Sequence, residues 1–172
     1  MLEGACVKKW LLLAVLAALA LWYFHFDRRM SEASIRGFYD EGIQAMMRFD
    51  AEWTCSRMTA DYRQTHITFG EQQGRSEKNY DKEQTCRLAQ EGMKQFKALS
   101  DASNGVIEPE YKVKIHRIEL AADRKTASVE MEVKMMLGEV MLARTRGTDR
   151  LVRRNGRILS QSSEAKSWIY VE

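Results

Sequence analysis

Two carboxylates near the C-terminal end of the chain are the candidates for acid–base chemistry. Asp149 and Glu164 lie in segments where polar and apolar residues alternate, and pairing across the intervening hairpin turn predicts that both face inward from one sheet. Against an apolar wall their pKa values would rise, with Tyr39 or Tyr62 as hydrogen-bond donor. The alternative is a register shifted by one residue or solvated strand ends, which would leave them outside. No complete catalytic constellation is evident, so Asp149, Glu164 and Tyr39 are candidates only.

The histidines and methionines show no metal-binding pattern. His25, His66 and His116 are scattered, no CxxC or HxxxH motif occurs, and neither of the last two has a carboxylate or cysteine at a spacing that suggests a catalytic dyad. The methionines at 131, 135, 136 and 141 follow the strand alternation and are predicted to be core residues rather than copper ligands. We therefore predict no metal site and no cofactor.

Cysteine usage predicts one disulfide. Cys55 and Cys86 form the one obvious pair, and an oxidising compartment would let them close a loop of about 30 residues. Two buried thiols or a metal site are the alternatives, although no supporting metal ligands lie at a suitable spacing. Cys6 is predicted to be a free thiol.

Four arginines form the densest cluster of charge. Arg144, Arg146, Arg150 and Arg154 are predicted to share the outer face of a strand, where they could bind an acidic partner or lipid head groups. The predicted pairing also puts Glu132 opposite Arg146, so a solvated cross-strand charge ladder is the alternative.

The apolar run from Trp10 to Phe26 suggests a membrane segment. At ~1.5 Å per residue a helix of this length roughly spans a hydrocarbon core of ~30 Å once flanking basic side chains reach the interface. A cleaved signal peptide or a buried core helix are the alternatives. We expect a single-pass signal anchor in the inner membrane of a bacterium, with the chain after it in the periplasm.

The rest of the chain is predicted to form one domain. The formal net charge of +3 does not favour nucleic-acid binding, and Pro109 is the only proline, so no proline-rich linker divides the chain. We predict a cytoplasmic head and transmembrane anchor over residues 1–30 and a periplasmic α+β domain over residues 31–172.

The periodicity of this domain changes once along the chain. Apolar residues recur at steps of three and four from Ile35 to Trp53 and again within Asp81–Leu99, which predicts two amphipathic helices with a short helix and a loop between them. From Tyr111 onward the period is two, and a bulge near His116 and a hairpin turn at Asn155-Gly156 complete four antiparallel strands. The predicted fold class is α+β, an N-terminal transmembrane helix followed by helices packed on a curved four-stranded antiparallel sheet.

Several local sequences resemble a known superfamily. A long first helix ending in CSRMTADYR, the helix at Asp81–Leu99, and the strands ASVEMEV and TDRLVRRNGRILSQSS resemble the nuclear transport factor 2-like superfamily, the cone-shaped fold of ketosteroid isomerase and the SnoaL-type cyclases. This resemblance implies an interior cavity but no single function, because the fold hosts isomerases, dehydratases, transport adaptors and inert scaffolds. A membrane helix ahead of such a cone also resembles the inner-membrane assembly subunit of type IV secretion systems.

Three functions are therefore predicted. The first is a membrane-anchored periplasmic binding or assembly module that engages another envelope protein or a second copy of itself. The second is a small-molecule pocket, catalytic or not, lined by Asp149, Thr145 and Met131, with isomerase- or dehydratase-like chemistry at Asp149. The third is a subunit of a type IV secretion-like complex.

Overall fold

The computed structural model describes residues 10–18, 29–70, 74–106 and 108–170 of the chain. Four helices and six strands occur in these residues. They are residues 10–18 (α1), Glu32–Met47 (α2), Ala51–Ser56 (α3), Met58–Gly70 (β1), Gly74–Asp81 (β2), Lys82–Ala102 (α4), Glu110–Leu120 (β3), Thr126–Leu137 (β4), Val140–Arg154 (β5) and Arg157–Ile169 (β6).

The predicted fold class is wrong in two respects. Within the described residues no helix is long and apolar enough to cross a membrane. Residues 19–26 of the predicted anchor lie outside the described residues, as do Cys6 and His25. The sheet is also different, since it has six strands rather than four and is mixed rather than wholly antiparallel.

The first predicted helix is two helices. Ser31 begins α2 with a capping box in which its side chain accepts a hydrogen bond from the Ser34 backbone. Helix α2 ends at Met47 and Phe49 then has a left-handed φ of 57°, so the uninterrupted helix predicted from Ile35 to Trp53 is wrong. Helix α3 then folds back on α2. A Cβ at Gly42 would lie 3.0 Å from the Trp53 ring, so glycine is what allows this contact.

Helix α4 confirms the predicted helix and the disulfide. Asp81 caps its start as expected, and the helix runs three residues beyond Leu99, to Ala102. Cys55 in α3 and Cys86 in α4 are disulfide-bonded, with their Cα atoms 5.3 Å apart. The bond ties the short α3 to the longest helix of the domain.

The four C-terminal strands confirm the predicted meander. Strands β3, β4, β5 and β6 are sequential antiparallel neighbours, with an irregularity between Ile115 and Arg117 where the bulge was expected. Asn155 and Gly156 both have positive φ, as a two-residue hairpin turn requires. The strand alternation predicts a β4–β5 turn that pairs Leu137 with Met141. The turn is tighter, because Leu137 pairs with Val140, and a register shift beyond it restores the expected pairing of the two strands.

Strands β1 and β2 correct the predicted short helix and loop. Residues 58–70 and 74–81 form an antiparallel pair, and β1 lies parallel to β6, which gives the strand order β2-β1-β6-β5-β4-β3. Thr65, Ile67 and Phe69 share one face of β1, a residue set typical of strands. Gly74, with φ of 65°, follows the connection where irregular chain was expected.

The core lies between α2 and the sheet face that it covers. Its members are buried apolar side chains from the chain before α2, from α2 and from three strands: Met30, Ile35, Ala127, Val129, Leu151 and Ile158. This core holds one end of α2 against β4 and β5, and the other end stands over a cavity.

Candidate functional site

A cavity of about 290 Å³ lies between α2, α3 and the inner face of the sheet. Its volume is just below the range usual for small-molecule sites, about 300–1,000 Å³. The helices supply Phe38, Ile43, Met46 and Trp53, and the strands supply Val113, Met131 and Val133. The wall is therefore mostly apolar, with polar side chains at a few positions, which is the usual composition of a ligand pocket.

Asp149 and Tyr39 meet in this cavity. The Tyr39 hydroxyl, from α2, donates a hydrogen bond of 3.0 Å to Oδ2 of Asp149, from β5. Asp149 is only 9% exposed, and burial raises its pKa while hydrogen bonds from Ser163 and Tyr39 oppose the rise. Burial and the neighbouring carboxylate also raise the pKa of Tyr39, so its phenol stays protonated. The inward direction predicted for Asp149 agrees with this placement.

Tyr62 and Ser163 complete this end of the cavity. Ser163 is the direct cross-strand partner of Asp149, and Tyr62 reaches the same region from β1. Burial, followed by the charge of Asp149, raises the pKa of Tyr62. Two protonated phenols and one hydroxyl therefore surround a single carboxyl group.

A second polar group lies further along the same face. Nε2 of His66 is 2.8 Å from Oγ of Ser167, which is 2.7 Å from Oγ1 of Thr145. His66 and Thr145 line the cavity, whereas Ser167 is buried behind them. Burial lowers the pKa of His66, so the ring is neutral at pH 7. His66 lies in a strand, in the segment for which the sequence predicted a short helix and a loop.

Glu164 does not join the site. Leu151 pairs with Ser160 and Arg150 pairs with Ser162, so Gln161 is an extra residue on β6. This bulge shifts the alternation by one residue and turns Glu164 to the outer face, where it lines an open groove of about 780 Å³ with Arg146 and His116. The predicted inward direction of Glu164 is therefore wrong.

The arginines of the predicted partner face are largely paired. Arg144 and Arg146 contact Oε2 of Glu132 at 2.6 and 2.7 Å, which confirms the predicted pairing of Glu132 with Arg146. These hydrogen bonds lower the pKa of Glu132 to about 2. Arg154 lies 3.8 Å from Asp61. Arg150 borders a separate, open pocket on the outer side of β3 and β4. The charge ladder thus accounts for much of this face.

No group of three or more histidine, cysteine or acidic side chains suited to a metal ion occurs among the described residues. The cavity residues that can transfer a proton or form hydrogen bonds to a ligand include a carboxyl group, two phenols and a neutral imidazole, and Arg57 and Gln64 also line the wall.

The fold can be compared with solved structures. A protein from Novosphingobium aromaticivorans, named as a candidate scytalone dehydratase, superposes with a TM-score of 0.55 at 11% identity, over 80% of this chain and 86% of that one. A nuclear transport factor 2-like protein of unknown function from Shewanella oneidensis superposes with a TM-score of 0.54 at 13% identity, over 80% of this chain and 99% of that one. A domain of unknown function with a cystatin-like fold from Nostoc punctiforme superposes with a TM-score of 0.53 at 10% identity, over 82% of this chain and 78% of that one.

The domain has a nuclear transport factor 2-like fold. Identities this low show the fold alone and assign no activity. No protein-family model matches the chain, and no curated protein sequence matches it either.

Proposed function

We propose that the cavity binds a small, mostly apolar molecule and that Asp149 transfers a proton to or from it, in isomerase- or dehydratase-like chemistry. The observation that carries the proposal is the buried Asp149 carboxyl in a mostly apolar cavity, 3.0 Å from the Tyr39 hydroxyl. A buried carboxylate costs free energy, so a site that retains one beside open space favours a functional role. The Novosphingobium protein carries a dehydratase name, and that name agrees with the class of reaction.

The residues around the carboxyl have distinct roles in this proposal. A carboxyl with a raised pKa is a stronger base when ionised and holds its proton closer to neutral pH, so Asp149 suits general acid–base catalysis. Tyr39 positions it. The protonated phenol of Tyr62 is a donor for a substrate oxygen on which negative charge develops.

The cavity is favoured over the predicted assembly module. One support for that module was the arginine-rich outer face, and Arg144, Arg146 and Arg154 each have an acidic partner within 4 Å. An envelope partner, a second copy of the chain and a role in a secretion complex remain predictions.

We also propose that the domain works in an oxidising compartment. The support is the Cys55–Cys86 disulfide, because structural disulfides are rare in reducing compartments. Peptide mapping of the protein isolated from its native cells, alkylated before lysis, should recover the linked pair. Recovery of two alkylated thiols would overturn this proposal.

Proton transfer can be tested with a probe ketone. 2-Tetralone combines an apolar ring system with one carbonyl group and has acidic C–H bonds, whose exchange in deuterated buffer is followed by proton NMR. The full-length chain should accelerate this exchange over buffer. Asp149→Asn, which still accepts the Tyr39 hydrogen bond, should lower the protein-dependent rate about 10²- to 10⁴-fold.

Glu164→Gln is the matched control. It neutralises a carboxylate on the outer face of the same sheet and should leave the rate unchanged. Wild-type exchange no faster than buffer, or equal rates for wild type and Asp149→Asn, would overturn the proposal.

A further inference from the structure

We infer that His66, Ser167 and Thr145 form a second polar subsite, which binds an oxygen atom at the end of the ligand opposite to Asp149. This inference rests on the proposed function, since it assigns the substrate class of the same cavity. It requires three features: a polar cluster that faces the cavity, a separation that one ligand can span, and apolar surface between the two ends.

The strand register places the two polar groups in separate rows. Asp149 and Ser163 are cross-strand partners in one row, and Thr145 and Ser167 are partners in another. His66 comes from β1, on the far side of β6, and its Cα pairs with Ala165 in the row between them. Three strands therefore converge on Ser167, which lies behind His66 and Thr145.

The separation between the rows follows from strand geometry. Asp149 and Thr145 are four residues apart on one face of β5, or about 13 Å at ~3.3 Å per residue. Two hydrogen bonds of about 2.8 Å, one at each end, leave roughly 7–8 Å between the oxygens of a ligand that spans the cavity. This is the length of a molecule with two fused rings.

On β5 and β6 the middle row offers little polar surface or bulk. Gly147 has no side chain and Ala165 has one carbon, while Met131 lies beside them on β4. Across the cavity the helices present the Phe38 and Trp53 rings. Flat apolar surface between two polar ends fits a fused-ring or aromatic ligand with an oxygen substituent at each end.

The hydrogen-bond pattern defines what the second subsite offers. His66 uses Nε2 toward Ser167, which leaves Nδ1 as the ring nitrogen for a ligand. The Ser167 hydroxyl can donate to only one of its two neighbours, so it couples the orientation of Thr145 to the tautomer of His66. The cluster can therefore donate to a ligand carbonyl or accept from a ligand hydroxyl.

Two matched probes separate this inference from the proposed function. 2-Naphthol carries one hydroxyl, and naphthalene-2,6-diol carries one at each end of the same ring system. Isothermal titration calorimetry of the full-length chain should show the diol binding about ten-fold more tightly, as expected for one additional buried hydrogen bond.

Substitutions at each end should act differently. Thr145→Val and, independently, His66→Phe should each reduce the advantage of the diol to less than about three-fold and leave the affinity for 2-naphthol unchanged. Asp149→Asn should weaken both probes. Thr148→Val, on the outer face of the same strand, is the control and should change neither affinity. Thermal unfolding of each variant verifies that it is folded.

The outcomes are distinguishable. Equal wild-type affinities for the two probes, or a diol advantage that survives in folded Thr145→Val and His66→Phe, would overturn the second subsite and leave the Asp149 site standing. If the wild type binds neither probe, both this inference and the proposed ligand class are overturned.

Discussion

Replacing Asp149 by asparagine should stabilise the folded protein at neutral pH while it removes the proton transfer. The carboxyl is buried, and burial is the main reason that its pKa is raised. An amide of the same shape carries no charge and still accepts the hydrogen bond from Tyr39. Folding then no longer places an ionised group in an apolar cavity.

The stability that Asp149→Asn gains over the wild type depends on pH. Each unit by which folding raises the pKa of Asp149 corresponds to about 1.4 kcal/mol of lost stability above that pKa. Below the unfolded-state pKa of about 3.9, both states of the wild type bind the proton, so the two proteins should have similar stability. As the pH rises through the folded-state pKa, the wild type loses stability and the variant does not. Above that pKa the difference stays constant.

Urea unfolding between pH 4 and pH 8, followed by circular dichroism with the disulfide intact, measures this difference. Carbon NMR of the Asp149 carboxyl supplies the folded-state pKa, and the two measurements should agree at about 1.4 kcal/mol per pKa unit. Tyr39→Phe should have the opposite effect and destabilise by about 1.5–3 kcal/mol at neutral pH, because a donor to a carboxylate is lost. The reasoning is refuted if Asp149→Asn is less stable than the wild type at neutral pH, or if the difference does not vary with pH.

Three further predictions concern the structure around the cavity. Reduction of the Cys55–Cys86 disulfide should lower the free energy of unfolding by about 3–4 kcal/mol on the chain-entropy model for a 31-residue separation. An unchanged urea midpoint under reducing conditions would contradict this prediction. Glu132→Gln should destabilise at neutral pH. The loss of stability relative to the wild type should shrink as the pH falls from about 4.5 toward 2, because the wild-type Glu132 carboxylate is then protonated. Urea unfolding of both proteins at several pH values measures this difference. Gly147→Ala should destabilise by about 1–3 kcal/mol, since the new Cβ would lie 2.7 Å from a backbone carbonyl oxygen of β6. The control Gly37→Ala meets no atom within 4 Å and should stabilise by about 0.5–1 kcal/mol in thermal unfolding.

The C-terminal half of the fold could be predicted because its signals are local. Strand β4 alternates over twelve residues, and continuing this alternation through the next turn into β5 placed Asp149 on the inner face. Asn155-Gly156 specifies the two-residue turn between β5 and β6. Glu164 could not be placed in the same way. A bulge adds one residue at Gln161 and reverses every later side chain of β6, and no local residue pattern marks it.

Strand β1 was missed for a reason connected with the site. Its inner face carries Tyr62, Gln64 and His66, which line the cavity rather than a closed apolar core. The hydrophobic alternation that identifies a strand is therefore weak in the strand that brings polar groups to the ligand. The parallel pairing with β6 is a long-range contact that local propensity does not specify.

The composition of β1 and the location of the site therefore have one physical explanation. A strand in a closed core would need apolar residues at positions 62, 64 and 66, and hydrogen-bonding residues there are tolerated because open space and polar partners lie opposite. Ser167 is buried, yet His66 on one side and Thr145 on the other satisfy its hydroxyl. If this network served stability alone, replacing all three residues by apolar ones of similar volume would be nearly neutral for folding and without consequence for ligands. The probe experiments distinguish these cases, because a binding role predicts that the affinity for the diol falls while the affinity for 2-naphthol does not.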